Sequence, residues 1–139
     1  MLKVLVPVDG SDNSRRAVQF LIQNASFYKE PLEIHLLNVR HPLPGTIRGV
    51  HREAEQHHHD AGLQALAETR RLLDGQGLKY VYHIVVGAPG ESIARFVNDQ
   101  QIQQVVMGTR GLGSVAAMLM GSVASEVLRL VDVPVLLVK

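Results

Sequence analysis

The chain has no cysteine. That absence removes disulfide staples, thiolate nucleophiles and thiolate metal sites together, and it fits a reducing compartment. Charge of one sign is lacking as well. Fourteen basic residues stand against thirteen acidic ones, a formal charge of +1, which gives no electrostatic footprint for nucleic acid or for an anionic membrane surface. No apolar stretch approaches the ~20 residues needed to span a bilayer. The opening segment Met1 to Val8 has a short apolar run but no basic leader, long apolar region or small-residue cleavage site, so it reads as a strand and not a secretion signal. The expectation is a cytoplasmic protein with no nucleic acid or membrane as partner. Linkers, internal repeats and low-complexity tracts are missing too, and the 139 residues fit one domain, 1–139. A domain of that size buries roughly two-thirds of its unfolded surface and needs no covalent staple.

What is present is an alternation of short apolar runs with longer helical patterns. Leu2 to Val8, Leu32 to Val39, Tyr80 to Val86, Gln104 to Met107 and Val133 to Val138 are rich in Val, Ile and Leu, as strands covered on both faces are. Between the first two, Ser11 or Asp12 can cap a helix with an apolar stripe of Ala17, Val18, Leu21, Ile22 and Ala25. The longest helix fits His51 to Gly75, with Ala54, Ala61, Leu63, Leu66, Ala67 and Leu73 inward and Gly75 and Gly77 as its stop. A third fits Gly90 to Asn98, and a fourth follows Gly121 with Val123, Val127, Leu128 and Val131 inward. Strands separated by helical crossovers imply a mainly parallel sheet in a doubly wound α/β domain. Arg40 to Val50, with two prolines and two glycines, reads as a loop.

The densest signal is Met107-Gly108-Thr109-Arg110-Gly111-Leu112-Gly113-Ser114, answered by Gly121-Ser122-Val123. Glycines between a strand and a helix start bring backbone amides close to an anion, most often a phosphate. Three phosphate motifs compete for it. Gly108 to Ser114 puts Ser114 where a Walker A loop has its lysine, so the cation for the outer phosphates is missing. Gly111 to Ala116 satisfies the dinucleotide fingerprint, but after the fourth strand and not the first, with too little chain left for the second strand and its ribose carboxylate. The third match uses Gly108, Gly111, Gly121 and Ser122, spaced Gly-x2-Gly-x9-Gly-Ser.

With these residues the chain resembles the universal stress protein family, specifically its small single-domain, ATP-binding members. The resemblance runs through Val6-Pro7-Val8-Asp9-Gly10-Ser11, Leu37-Asn38-Val39, Val85-Val86-Gly87-Ala88-Pro89, Val106 to Gly111, Gly121 to Ala124 and Val133 to Val138. It implies a five-stranded parallel sheet of order 3-2-1-4-5, Rossmann-like, with helices on both faces. The crevice where the winding reverses then lies between strands one and four. It also implies ribose contact by Asp9 and adenine contact by Pro7, Val8 and Val39. Phosphate and ribose contacts fall to Met107, Gly108, Arg110, Gly111, Gly121, Ser122 and Val123. Asp9, an acceptor-only group, suits ribose hydroxyls or a Mg²⁺ carried by the nucleotide. Amides near positions 108, 111 and 121 are expected to converge on the polyanion, each charge-assisted bond contributing about 1.5–3 kcal/mol. Ala124 departs from the hydroxyl residue found there in some ATP-binding members, which lets AMP or ADP compete better with ATP. The same residues have plainer readings: glycines shaping a tight loop, Asp9 capping a helix, Arg110 a solvated cation.

His51, His57, His58 and His59 invite a metal reading. Adjacent helical positions point about 100° apart, so His57, His58 and His59 cannot converge on one ion. The expectation is no specific metal site and a solvated, polar helix start. Rapid ATP hydrolysis needs a positioned water and compensation of charge on the transferring phosphoryl group, and neither can be assigned. The chain therefore reads as a stress-response binding module, a dimeric switch or scaffold, with slow hydrolysis at most. The alternatives are a slow ATP hydrolase or nucleotidyl-transfer enzyme of the same α/β type, or a family member acting only through its dimer surface. In the family's sheet order Val133 to Val138 lies at an edge, where it can pair with the same strand of a second copy. The expected partners are an adenine nucleotide, a second copy of the chain and a further protein that reads the nucleotide-ordered surface.

Overall fold

The strand and helix patterns are realised in order in the computed structural model, which describes residues 1–43, 51–109 and 120–139. Along the chain these residues form β1 (Leu2–Pro7), α1 (Asp12–Asn24), β2 (Leu32–Arg40), α2 (His51–Gly75), β3 (Tyr80–Val86), α3 (Pro89–Asp99), β4 (Gln104–Gly108), α4 (Ser122–Leu130) and β5 (Val135–Val138). All neighbouring strands pair in parallel, in the order β3-β2-β1-β4-β5, as the resemblance implied. Val133 to Val138 was expected to be strand throughout. Pairing starts only at Val135, because Pro134 has no N–H for a ladder and enters with its carbonyl alone, accepting from Val105 N at 2.9 Å.

Alternation along the strands divides the core between two faces. Val4, Val6, Ile34, Leu36 and Val106 point to one face, where they pack with Ala17, Val18 and Leu21 of α1 and Leu66 and Leu73 of α2. Leu5, Leu37, Val105 and Met107 point to the other and meet Ile93 and Val97 of α3 and Ala124 and Val127 of α4. Ser11 is the N-cap of α1, its hydroxyl accepting from Ser14 N at 3.2 Å. The long helix ends in a Schellman turn: Leu78 N donates to Leu73 O at 3.1 Å and Gly77 N to Asp74 O at 3.0 Å, with Gly77 at φ +65°. The end of α3 repeats this pattern with Gln101, at φ +55°, in the glycine's place. Among the described residues no helix is long and apolar enough to cross a membrane.

Two inward assignments change, and one residue expected to be solvated is buried. Leu128 is 41% exposed, because the buried stripe of α4 runs through Ala124 and Val127, one helical step away. Ala67 is exposed for the same reason: α2 buries His58, Gly62, Leu66, Thr69 and Leu73, spaced by three and four. That spacing carries the buried stripe back to His58, so the helix start is not wholly solvated; its neighbours His57 and His59 are exposed.

On the α3 face a polar chain crosses the β2–β3 pair. His35 Nε2 lies 2.8 Å from Glu33 Oε2, and His35 Nδ1 lies 3.2 Å from His83 Nε2. Phe96 of α3 covers both rings edge-on. The hydrogen bond from His35 holds Glu33 below the usual carboxylate range, while burial, with His35 beside it, holds His83 below the usual histidine range. An unfolded His83 binds its proton near pH ~6.5, the folded one only at lower pH. This contribution to stability is therefore fully present above that pH and is lost as pH falls through the folded value. Denaturant titrations at about pH 7.5 and 5.5 should show wild type losing more stability on acidification than His83→Gln; equal losses would contradict the assignment.

A second expectation follows from Gly108. A Cβ there would lie 2.6 Å from Asn13 Cβ and 2.7 Å from Asn13 C and O. Backbone cannot yield as a side-chain tip can, so Gly108→Ala should force α1 away from β4 and cost about 1–3 kcal/mol in chemical denaturation. Unchanged stability would show that the approach is looser than described.

Candidate functional site

Reversal of the winding at β1 leaves the carboxyl ends of β1 and β4 side by side with no crossover above them. A cleft of about 270 Å³ opens there. Its walls come from the ends of β1, β2 and β4, the turn before α1 and the first turns of α3 and α4. Nine of the eleven residues singled out in the sequence line it: Pro7, Val8, Asp9, Val39, Met107, Gly108, Gly121, Ser122 and Val123. Arg110 and Gly111 lie outside the described residues.

Three helix starts border this space: that of α3 opens with Pro89, which has no N–H, and those of α1 and α4 differ. The start of α1 is closed by its own side chains: Asp9 Oδ1 accepts from Ser11 N at 2.9 Å, Ser11 Oγ accepts from Ser14 N, and Ser14 Oγ donates to Ser11 O at 2.9 Å. Asp9 thus makes an Asx turn before the helix, whose cap is Ser11 and not Asp9, and it also lines the cleft. The start of α4 has no side-chain cap. Here the structure alters one expectation. The Gly121 amide, expected to point at an anion, donates instead to Thr109 O. The helix's own bonds begin with Ser125 N, which donates to Gly121 O at 3.1 Å. The amides of Ser122, Val123 and Ala124 therefore form the first turn, with no hydrogen-bond partner among the described residues. Gly108 also has a different first duty, since the N-terminal turn of α1 already occupies the space beside it.

The wall toward β2 is fixed by side-chain and backbone bonds. Val8 N donates to Leu37 O at 2.8 Å, and Asn38 Nδ2 donates to Val8 O at 2.8 Å. Both polar groups of the Val8 backbone are thereby taken, leaving an apolar surface toward the cleft. Beyond Val39, Arg40 and His41 complete this end, with Pro89 and Ile93 of α3 facing them. Sequence reasoning did not select Asn38, Arg40, His41, Ser14 or Thr109 as site residues. Asn38 carried a usable signal, a buried amide amid the apolar run Leu36 to Val39.

Chemically, the cleft offers open amide donors at its α4 end, a carboxylate acceptor in the middle and one permanent cation, Arg40, at its β2 end among the described residues. Such an arrangement can hold an anion at one end and a polar ring system at the other. Among the described residues no group of three or more His, Asp or Glu side chains is placed to hold a metal ion.

Comparisons with known proteins agree with this architecture. A universal stress protein of Methanocaldococcus jannaschii is 29% identical over 138 residues, covering 99% of this chain and 81% of its own. A universal stress protein from Lactobacillus plantarum superposes with a TM-score of 0.83, covering 99% of this chain and 97% of its own, at 19% identity, a likeness of fold. Another solved universal stress protein, in complex with cAMP, is 27% identical with a TM-score of 0.71, covering 99% of this chain and 97% of its own. A model of the universal stress protein family matches residues 1–139, and the chain belongs to that family.

Proposed function

We propose that the cleft binds an adenine nucleotide, ATP with AMP and ADP as competitors, and that the protein acts as a nucleotide-responsive switch or scaffold in stress response. The observation that carries this reading is the contrast between two helix starts: α1 is capped by Ser11, whereas α4, whose first turn lines the cleft, has no cap among the described residues. Unpaired N–H groups and the positive end of the helix dipole favour a phosphate there, the dipole contributing about 0.3–1 kcal/mol. A cAMP complex of a relative 27% identical supports an adenine ligand. In this reading Ser122 and Val123 hold phosphate, Met107 meets phosphate or ribose, Asp9 meets the ribose or the nucleotide's Mg²⁺, and Pro7, Val8 and Val39 enclose the base. Arg110 and Gly111 join the phosphate end by family resemblance.

Catalysis is not part of the proposal. Phosphoryl transfer needs a positioned water and charge compensation on the transferring group, and neither is assigned among the described lining residues. Mass spectrometry of nucleotide released from freshly purified protein, with calorimetric titration of AMP and ATP, tests the reading. Micromolar binding is expected, and Gly121→Trp, which crowds the turn before α4, should weaken it at least tenfold. Full affinity in that variant would place the ligand elsewhere.

Pairing of β5 with β5 of a second copy is proposed alongside. β5 is an edge of the sheet, where unpaired backbone groups recruit another strand. Light scattering after size-exclusion chromatography should give twice the 15.3 kDa chain mass. Particles of single-chain mass at micromolar concentration would remove this part.

A further inference from the structure

Three described arginines are partly buried, and two of them are partnered. Arg15 reaches Asp12 and Glu68, each at 3.6 Å. Arg70 donates to the Tyr80 hydroxyl at 3.4 Å and lies over the Tyr82 ring at 4.2 Å. Arg40 has neither kind of support. Its Nε is buried without a hydrogen-bond partner, and among the described residues no carboxylate pairs with its guanidinium. Leaving such a donor unsatisfied is costly, and in a native structure it calls for an explanation.

Position supplies one. Arg40 is the last residue of β2, opposite Val86 of β3, and Gly87 N donates to its carbonyl at 2.9 Å, so the residue is anchored at the rim of the cleft it lines. β2 and β4 are separated by β1, two strand spacings or about 10 Å. An anion seated on the amides of Ser122 to Ala124 is therefore across the cleft from Arg40, and the part of the ligand that extends over β1 toward Arg40 is the uncharged nucleoside.

We infer that Arg40 is a specificity-determining residue that reads the base of the bound nucleotide edge-on, its Nε donating in the plane of the ring to a ring nitrogen. A purine ring presents in-plane nitrogen acceptors such as N7, and a guanidinium donates through N–H bonds that lie in its own plane. Because Nε is covered in the unliganded cleft, the side chain re-seats as the base enters. The inference rests on the adenine-nucleotide reading above and adds to it which protein group senses the nucleoside end.

Calorimetry of wild type, Arg40→Gln and Arg40→Lys with adenosine, AMP and ATP, each at low and high salt, separates this role from a general attraction for phosphate. Arg40→Gln should weaken all three ligands by the same factor, about tenfold, and salt should leave that factor unchanged. Arg40→Lys should stay as weak as Arg40→Gln, since an ammonium keeps the charge but lacks the planar fork. Losses that grow from adenosine to ATP and shrink with salt would overturn the inference in favour of long-range charge, as would wild-type affinity in Arg40→Lys or no change in Arg40→Gln. Wild type that binds none of the three ligands overturns the nucleotide reading itself and the inference with it. Should Arg40→Gln fail to fold, Arg40→Lys with the same ligand series decides the matter.

Discussion

The reversal of winding at β1 is the constraint on which the remaining structure depends. The chain steps outward from β1 to β2 and β3, then returns across α3 to lay β4 on the other side of β1. Right-handed crossovers then place α1 and α2 on one face and α3 and α4 on the other, and the two apolar clusters follow these faces. A gap above β1 and β4 is the necessary result. Every cleft residue reaches that gap from a strand end or a helix start, so the site is a product of topology before it is one of particular side chains.

Much of this was legible because several local signals agreed. Strand and helix order followed from periodicity, and the start of α1 from a hydroxyl residue before an apolar stripe. Leu128 and Ala67 were misplaced because a helix carrying apolar residues on a wide arc does not declare which edge meets the sheet; neighbouring helices decide. His58 was hidden among polar neighbours, and only the phase of Leu66 and Gly62 two turns on places it inward.

The site was legible as a set of positions and less so as a set of roles. Gly-x2-Gly-x9-Gly-Ser located Gly108 and Gly121 correctly at the cleft, but spacing cannot say which partner a glycine accommodates. At Gly108 it is the backbone of Asn13, and the amide of Gly121 belongs to Thr109. Arg40 escaped notice because a lone arginine at a strand end is usually a solvated charge. What sets it apart is a buried Nε with no partner among the described residues, which becomes visible only after folding.

The Asn38 carboxamide has a consequence for how the cleft can adapt. With Val8 tied to β2 through both its N–H and its carbonyl, the first two strands behave as one plate at this end. Across the gap, α4 is joined to the end of β4 through the bond from Gly121 to Thr109. Both rims of the cleft are thus braced by bonds to main-chain groups, so a change in its width has to move whole elements and not single side chains.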